Sequence, residues 1–391
     1  MKNVLTLFFV LVLVVSIEAQ SAGIEFAQTD WATTLAKAKE ENKLIFVDCY
    51  TTWCGPCKWM SANVFPDKAV GDYYNANFIN VKLDMEKGEG LDFAKKYAVR
   101  AYPTLMFIDG DGKMVHKAIG MRNTENFHSL GEAASDPDQQ IAGMMAKHDA
   151  GERSPEFLKQ YAEGLHSAGM PGREKVAEAY LAKQADWSSK DNMEFIFGIA
   201  DYNVDSKLIG HITANRDAYA ELVGADQVTG KLKGAVQSSL RQAKGASDEE
   251  VTSMFQKVFP NNYEEYKLEY QLNQWMYSDN EAELSRFINK APEYIEKYNI
   301  SNWQTLNSYA WRFYEVITHP KKLAQARTWA EKSVAIESNY YNNDTLAALC
   351  YKLKDKAAAA KHAQIAIDLA AEDGSDAADT KELLNKIKAL D

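Results

Sequence analysis

An apolar run, KLIFVDCY (43–50), is followed two residues later by WCGPC (53–57) and then by KWMSANVF, whose pattern is helical. This succession of buried strand, cysteine pair and helix start constrains the local fold more than any other feature of the chain. At such a junction the Cys54 sulfur faces unpaired backbone N–H groups and the positive end of the helix dipole. Both favour the thiolate, which is the form that attacks a disulfide. Cys57 follows one turn later, shielded by the helix, and can attack the mixed disulfide that Cys54 forms. Pro56 stiffens the loop between them. Cys54 is therefore read as the accessible attacker and Cys57 as the resolver. Only Cys49 and Cys350 accompany them in 391 residues. Four cysteines are too few for a disulfide framework, and a loop as short as CxxC gains little by restricting the unfolded chain. The pair is there for chemistry.

The first residues, MKNVLTLFFVLVLVVSIEAQSAG, combine Lys2, an apolar run from Val4 to Ile17 and small residues at Ala19 and Ala22. That is the pattern of a secretory signal peptide over 1–22. The run is short of the roughly 20 residues a membrane-spanning helix needs, so a retained anchor is the lesser reading. No later stretch is apolar enough to span a bilayer. Periplasmic or secreted localisation is expected, with no membrane insertion after cleavage. The chain ends IKALD, which is not an endoplasmic-reticulum retention signal, so a bacterial periplasm is favoured. Net charge is −11, from 44 basic and 55 acidic residues with no dense basic run. Nucleic acid and anionic membrane surfaces are poor partners for such a chain.

From 23 to 135 the signals alternate. Asp30 caps a helix over WATTLAKAKEEN, KLIFVDCY is a strand, and a helical stretch breaks near Pro66. FINVKLDM is a second strand, and TLMFID and KMVHKAIG form a hairpin turning at Asp109 to Gly112. Strands interleaved with helices indicate a mixed α/β sheet between helical layers. Polar composition over 136–154 suggests a linker. Beyond it only helices are read, with Ser154 and Pro155 opening one and a Ser247/Glu250 capping box opening another. NSYAWRFYEV (307–316) is similar to DTLAALCYKL (344–353), and ARTWAEKSVAIE (326–337) to AAKHAQIAIDLA (359–370). Helix pairs recurring near 34 residues with Ala at packing positions resemble tetratricopeptide (TPR) repeats, so 155–391 is expected to be a helical domain with TPR-like repeats near 303–370.

FVDCYTTWCGPCKWM resembles the active-site segment of thioredoxins, and the resemblance covers residues 24 to 135. It implies an α/β thioredoxin fold followed by an all-α, TPR-like domain. Trp53, Gly55, Pro56 and Lys58 match the family pattern. Asp48 falls on its buried acid, Lys82 on the lysine near that acid, and Pro103 on the cis-proline facing the cysteine loop. Gly120 lies near the glycine after the last strand. By this resemblance Cys54, Cys57, Asp48, Lys82 and Pro103 are the catalytic set, with Cys54–Cys57 the redox-active disulfide. Trp53, Gly55, Pro56, Tyr102 and Pro103 are the substrate contacts. The long helix before the first central strand and NVFPDKAV are closer to the thioredoxin-like domains of periplasmic thiol:disulfide interchange proteins.

Duller readings stand beside these. A CxxC can be half a zinc site, but the scattered histidines supply no second pair of ligands, so no metal and no cofactor are expected. Asp48 can be an edge carboxylate, although its neighbours Leu44 to Val47 indicate a central strand, where an ion is costly without a purpose. It is read as the acceptor of the Cys57 proton. Lys82 can be a plain surface lysine, and Pro103 a strand-entry proline. Cys49 points to the opposite sheet face from Asp48 and, with Cys350, is read as core. The tyrosines of NYEEYKLEYQLNQWMY have helical spacing and are read as packing. The expected function is an exported thiol:disulfide oxidoreductase contributing to cell redox homeostasis. Gly-Pro between the cysteines resembles the reducing members of the family. Its partners are protein disulfide substrates and a membrane thiol electron donor, and its helical domain recruits partners or forms an oligomer. The alternatives are a disulfide isomerase or oxidase, or a TPR-like scaffold carrying a thioredoxin-like adaptor.

Overall fold

The computed structural model describes residues 23–389, so the expected signal peptide lies outside the described residues. Asp30 caps α1 (Trp31–Glu41), its carboxylate accepting from the Thr33 N–H at 2.7 Å. The apolar run then forms β1 (Leu44–Tyr50). It pairs in parallel with β2 (Phe78–Asp84) and antiparallel with β3 (Thr104–Ile108), which pairs antiparallel with β4 (Met114–Ile119). The sheet order is β2-β1-β3-β4, so β1 is central. Gly112, at φ 78°, closes the β3–β4 turn by donating to the Asp109 carbonyl at 2.9 Å.

Side chains alternate across β1. Ile45, Val47 and Cys49 face α1 and α4 (Glu89–Lys96), packing with Ala38, Phe93 and Met106. Phe46, and with it Asp48, faces α2 (Gly55–Asn63), α3 (Lys68–Asn77) and α5 (Thr124–Ser135), where Met60, Tyr74 and Phe127 complete the core. The expected break near Pro66 separates α2 from α3, and Asp67 caps the new helix through the Ala69 and Val70 N–H groups.

Residues 136–154, expected to be a linker, contain α6 (Ile141–Asp149), with Ile141 and Met144 buried. The Ile141 N–H donates to Nδ1 of the buried His116 on β4 at 3.1 Å, which ties this helix to the edge of the sheet. Next come α7 (Pro155–Ser167), α8 (Arg173–Leu181) and α9 (Lys190–Ile199). Pro155 opens α7 as expected, but the Ser154 side chain makes no capping hydrogen bond. The division between two compact units falls between Asp201 and Tyr202, later in the chain than the polar stretch that suggested it.

In the second unit the described residues form helices only, including one opened by the Ser247/Glu250 capping box. Burial repeats at the offsets seen in the sequence. Tyr309, Ala310 and Phe313 are buried, and so are Leu346, Ala347 and Cys350, 37 residues on. Ala326, Ala330 and Ser333 are buried, and so are Ala359, Ala363 and Ala366, 33 residues on. In the tyrosine-rich helix Tyr263–Met276, Tyr266 and Tyr270 pack on Phe259 and Phe255 with ring centroids 4.1 and 5.8 Å apart. No helix among the described residues is long and apolar enough to cross a membrane.

Candidate active site

Cys54 is the N-cap of α2. Its φ/ψ of −70°/103° is extended, and its Sγ accepts from the Cys57 N–H at 3.1 Å. The sulfur thus takes one of the amides that the first helical turn leaves without a partner. Pro56, in that turn, has no N–H to satisfy and a φ already suited to the helix. Cys54 and Cys57 are joined as a disulfide with Cα atoms 5.3 Å apart. A Cβ on Gly55 would meet open space, so nothing crowds the loop at that point. Cys54 was expected to be accessible, yet it is 3% exposed. Its sulfur turns inward to the α2 amide and to Cys57. The exposed groups nearby include two large aromatics, Trp53 at 65% and Trp59 at 42%.

Asp48 is 1% exposed, and neither carboxyl oxygen has a hydrogen-bond partner among the described residues. Strand register sets Lys82 beside it, with Nζ 3.4 Å from Oδ2. Burial disfavours the charged carboxylate and outweighs the attraction of Lys82, so the Asp48 pKa is pushed up to about 6. Lys82 is not a plain surface lysine, since its side chain is only 27% exposed. Its Nζ lies 4.9 Å from the Tyr50 ring centre, 5.3 Å from Phe65 and 5.9 Å from Phe26, and it donates to Ser61 Oγ. The Asp48 carboxyl lies on the sheet face that α2 covers. Cys57, Met60, Ser61 and Val64 share one side of α2 by helical spacing, and Met60 and Val64 are in that same core.

The Tyr102–Pro103 peptide bond is cis, and the Pro103 carbonyl accepts from the Gly120 N–H at 2.9 Å. The Tyr102 ring meets Trp53 edge to face, with centroids 5.8 Å apart. The Trp53 indole N–H is shared between both carboxylate oxygens of Glu86, each at 3.0 Å. Strand order thus brings the end of β1, the start of α2, the end of β2 and the start of β3 together at one end of the sheet. Cys49 lies across the sheet from Asp48, fully buried. Two residues here were missed in the sequence. Ser61, four residues after Cys57, carried a signal in its helical spacing. Glu86 carried none, because its loop is placed only by the fold.

The Thioredoxin family model matches residues 23–132. Thioredoxin H4 of Arabidopsis thaliana is 41% identical over 90 residues, which are 23% of this chain and 71% of that protein. Thioredoxin H-type 2 of Nicotiana tabacum is 33% identical over 108 residues, 28% of this chain and 85% of that protein. Among solved structures, a putative disulphide-isomerase from Bacteroides thetaiotaomicron is 46% identical and covers 30% of this chain and 98% of its own, with a TM-score of 0.28. The cysteine pair and its buried acid fall inside the matched stretch, and by that match the chain belongs to the thioredoxin family of thiol:disulfide oxidoreductases.

Proposed function

We propose that this oxidoreductase is exported and reduces disulfides in other proteins. The reading is carried by one observation, a Cys54–Cys57 pair at a helix start with a buried Asp48, raised in pKa by that burial, on the sheet face that this helix covers. In the dithiol form, the Cys54 thiolate attacks one sulfur of a substrate disulfide. A mixed disulfide forms, and the first substrate thiolate leaves and is protonated by solvent. Asp48 takes the Cys57 proton, and the Cys57 thiolate attacks Cys54 Sγ. The Cys54–Cys57 disulfide closes and the second substrate thiol is released. Two electrons pass from the dithiol to the substrate. A membrane-borne dithiol donor restores the pair. Trp53, Gly55, Pro56, Tyr102 and Pro103 provide the surface on which the substrate strand lies.

Export is supported by the signal-like pattern over 1–22. The helices after α6 are assigned to partner binding or assembly, and the recurrence of buried positions between 309 and 366 supports a TPR-like packing there. Insulin-disulfide reduction by the full-length protein tests the chemistry. Wild type is expected to precipitate insulin chains in the presence of dithiothreitol, and Cys54→Ser to lose that activity. Equal activity in both would leave the thioredoxin-like part as an adaptor. A strongly oxidising potential, or rescue of scrambled ribonuclease in place of insulin reduction, would make the protein an oxidase or isomerase.

A further inference from the structure

Lys82 is held on several sides. Its ammonium is 3.4 Å from an Asp48 oxygen, faces the rings of Tyr50, Phe65 and Phe26, and donates to Ser61 Oγ. Yet Asp48 accepts no hydrogen bond from it or from any other described residue. A buried carboxylate beside an ammonium normally draws it into hydrogen-bond contact, because a charge-assisted hydrogen bond in a low-dielectric site is stronger than an ion pair held apart. Here the competing partner is a hydroxyl on α2, one helical turn after Cys57.

We propose that Ser61 is a positioning residue for thiol–disulfide exchange: by accepting from Lys82 it holds the ammonium off Asp48, leaving the carboxylate free to take the Cys57 proton. This deepens, and rests on, the role given above to Asp48. The proton moves from Cys57 Sγ to a carboxylate oxygen of Asp48 as Sγ attacks Cys54. The displaced substrate sulfur leaves with its electron pair and is protonated by water, so no further reactant is needed in that half-reaction. An ammonium closed onto Asp48 would make the carboxylate a weaker base and slow the proton's departure.

The charged and titratable groups around Asp48 are few. Lys82 faces it from β2, and Tyr50 and Cys49 flank it on β1. β3 presents Leu105 opposite it, and α2 offers Cys57 on the covering side. Among these only Lys82 carries a charge that Ser61 can move.

The test titrates Asp48 by carboxyl carbon-13 NMR in full-length, disulfide-form wild type, Ser61→Ala and Ser61→Thr, where neither active-site cysteine ionises. Ser61→Ala is expected to lower the Asp48 midpoint by about one pH unit, a roughly tenfold loss of proton affinity. Ser61→Thr, which keeps the hydroxyl, should restore the wild-type midpoint. The acid limb of the pH profile for insulin reduction should move in the same direction in Ser61→Ala. An Asp48 midpoint unchanged or raised in Ser61→Ala overturns the proposal, as does a lowered midpoint with an unmoved rate profile. The titration needs no substrate. If wild-type protein failed to reduce insulin, the reductant reading would fall on that result, separately from what the carboxyl shows.

Discussion

At the scale of single residues, burying Asp48 has a cost that the fold carries. An unfolded Asp titrates near 3.8, whereas burial brings Asp48 up to about 6. Well above pH 6 the acid is charged in both states, and the folded chain bears the whole penalty of burying that charge. As pH falls from 6 to 3.8 the folded chain takes up its proton first, so this residue's contribution to stability rises with acidification. Asn has the shape of the protonated acid without the charge. Asp48→Asn is therefore expected to stabilise the disulfide form by about 3 kcal/mol at pH 7, with the gap closing toward pH 4. Urea unfolding of both proteins at the two pH values checks it, and equal stability at pH 7 contradicts the buried-charge account. The cysteine pair could be read from sequence through its spacing at one strand–helix junction, and Asp48 and Lys82, which lie on different strands, only through the resemblance to thioredoxins. Glu86 on the Trp53 indole could not, because that contact joins a residue before α2 to one in the loop after β2 and depends on tertiary placement alone.

Among the elements, α6 shows why a polar stretch is a weak sign of a linker. The sequence around it, SDPDQQ and KHDAGERSPE, is hydrophilic, and a nine-residue helix is too short for its apolar spacing to stand out. What docks it is Ile141, through burial and through its N–H to His116 Nδ1. That bond requires a neutral imidazole, and burial lowers the His116 pKa from 6.5 to about 4. Well above pH 6.5 the residue is neutral in both states and the contact is fully present. Between 6.5 and 4 the unfolded chain gains a proton that the folded one does not, and stability falls by about 3 kcal/mol over that window. The Ile141 amide should accordingly lose hydrogen-exchange protection on going from pH 7 to pH 4, after correction for intrinsic exchange, and His116→Gln should remove the pH dependence of that loss. Constant protection across the window would mean that α6 is held by its apolar contacts alone. This acid-labile contribution opposes the acid-stabilising one of Asp48 over nearly the same range. Asp48→Asn should thus be visibly more acid-sensitive than wild type.

For the whole molecule, the redox pair lies in one compact unit and helices alone form the described residues of the other, with the division after Asp201. The alternating half was legible because strands announce themselves by apolar runs bounded by turn residues. The helical half was legible as helices, through caps and 3.6-residue spacing. Its extent was not, since α7 to α9 carry the same kind of pattern as the helices beyond them yet group with the sheet. Division into two units implies that a core defect can be confined to one of them. Ala330 and its counterpart Ala363 are fully buried in the cluster that includes Phe313, Leu346 and Cys350. Their methyl groups lie where a larger side chain would push neighbouring helices apart. Ala330→Leu should overpack that site and cost about 1–3 kcal/mol. Calorimetry of the full-length protein should then show one transition lowered and another unmoved, with insulin reduction at 25 °C unchanged. A single transition that shifts as a whole, with reduction impaired in proportion, would mean that the two units fold as one.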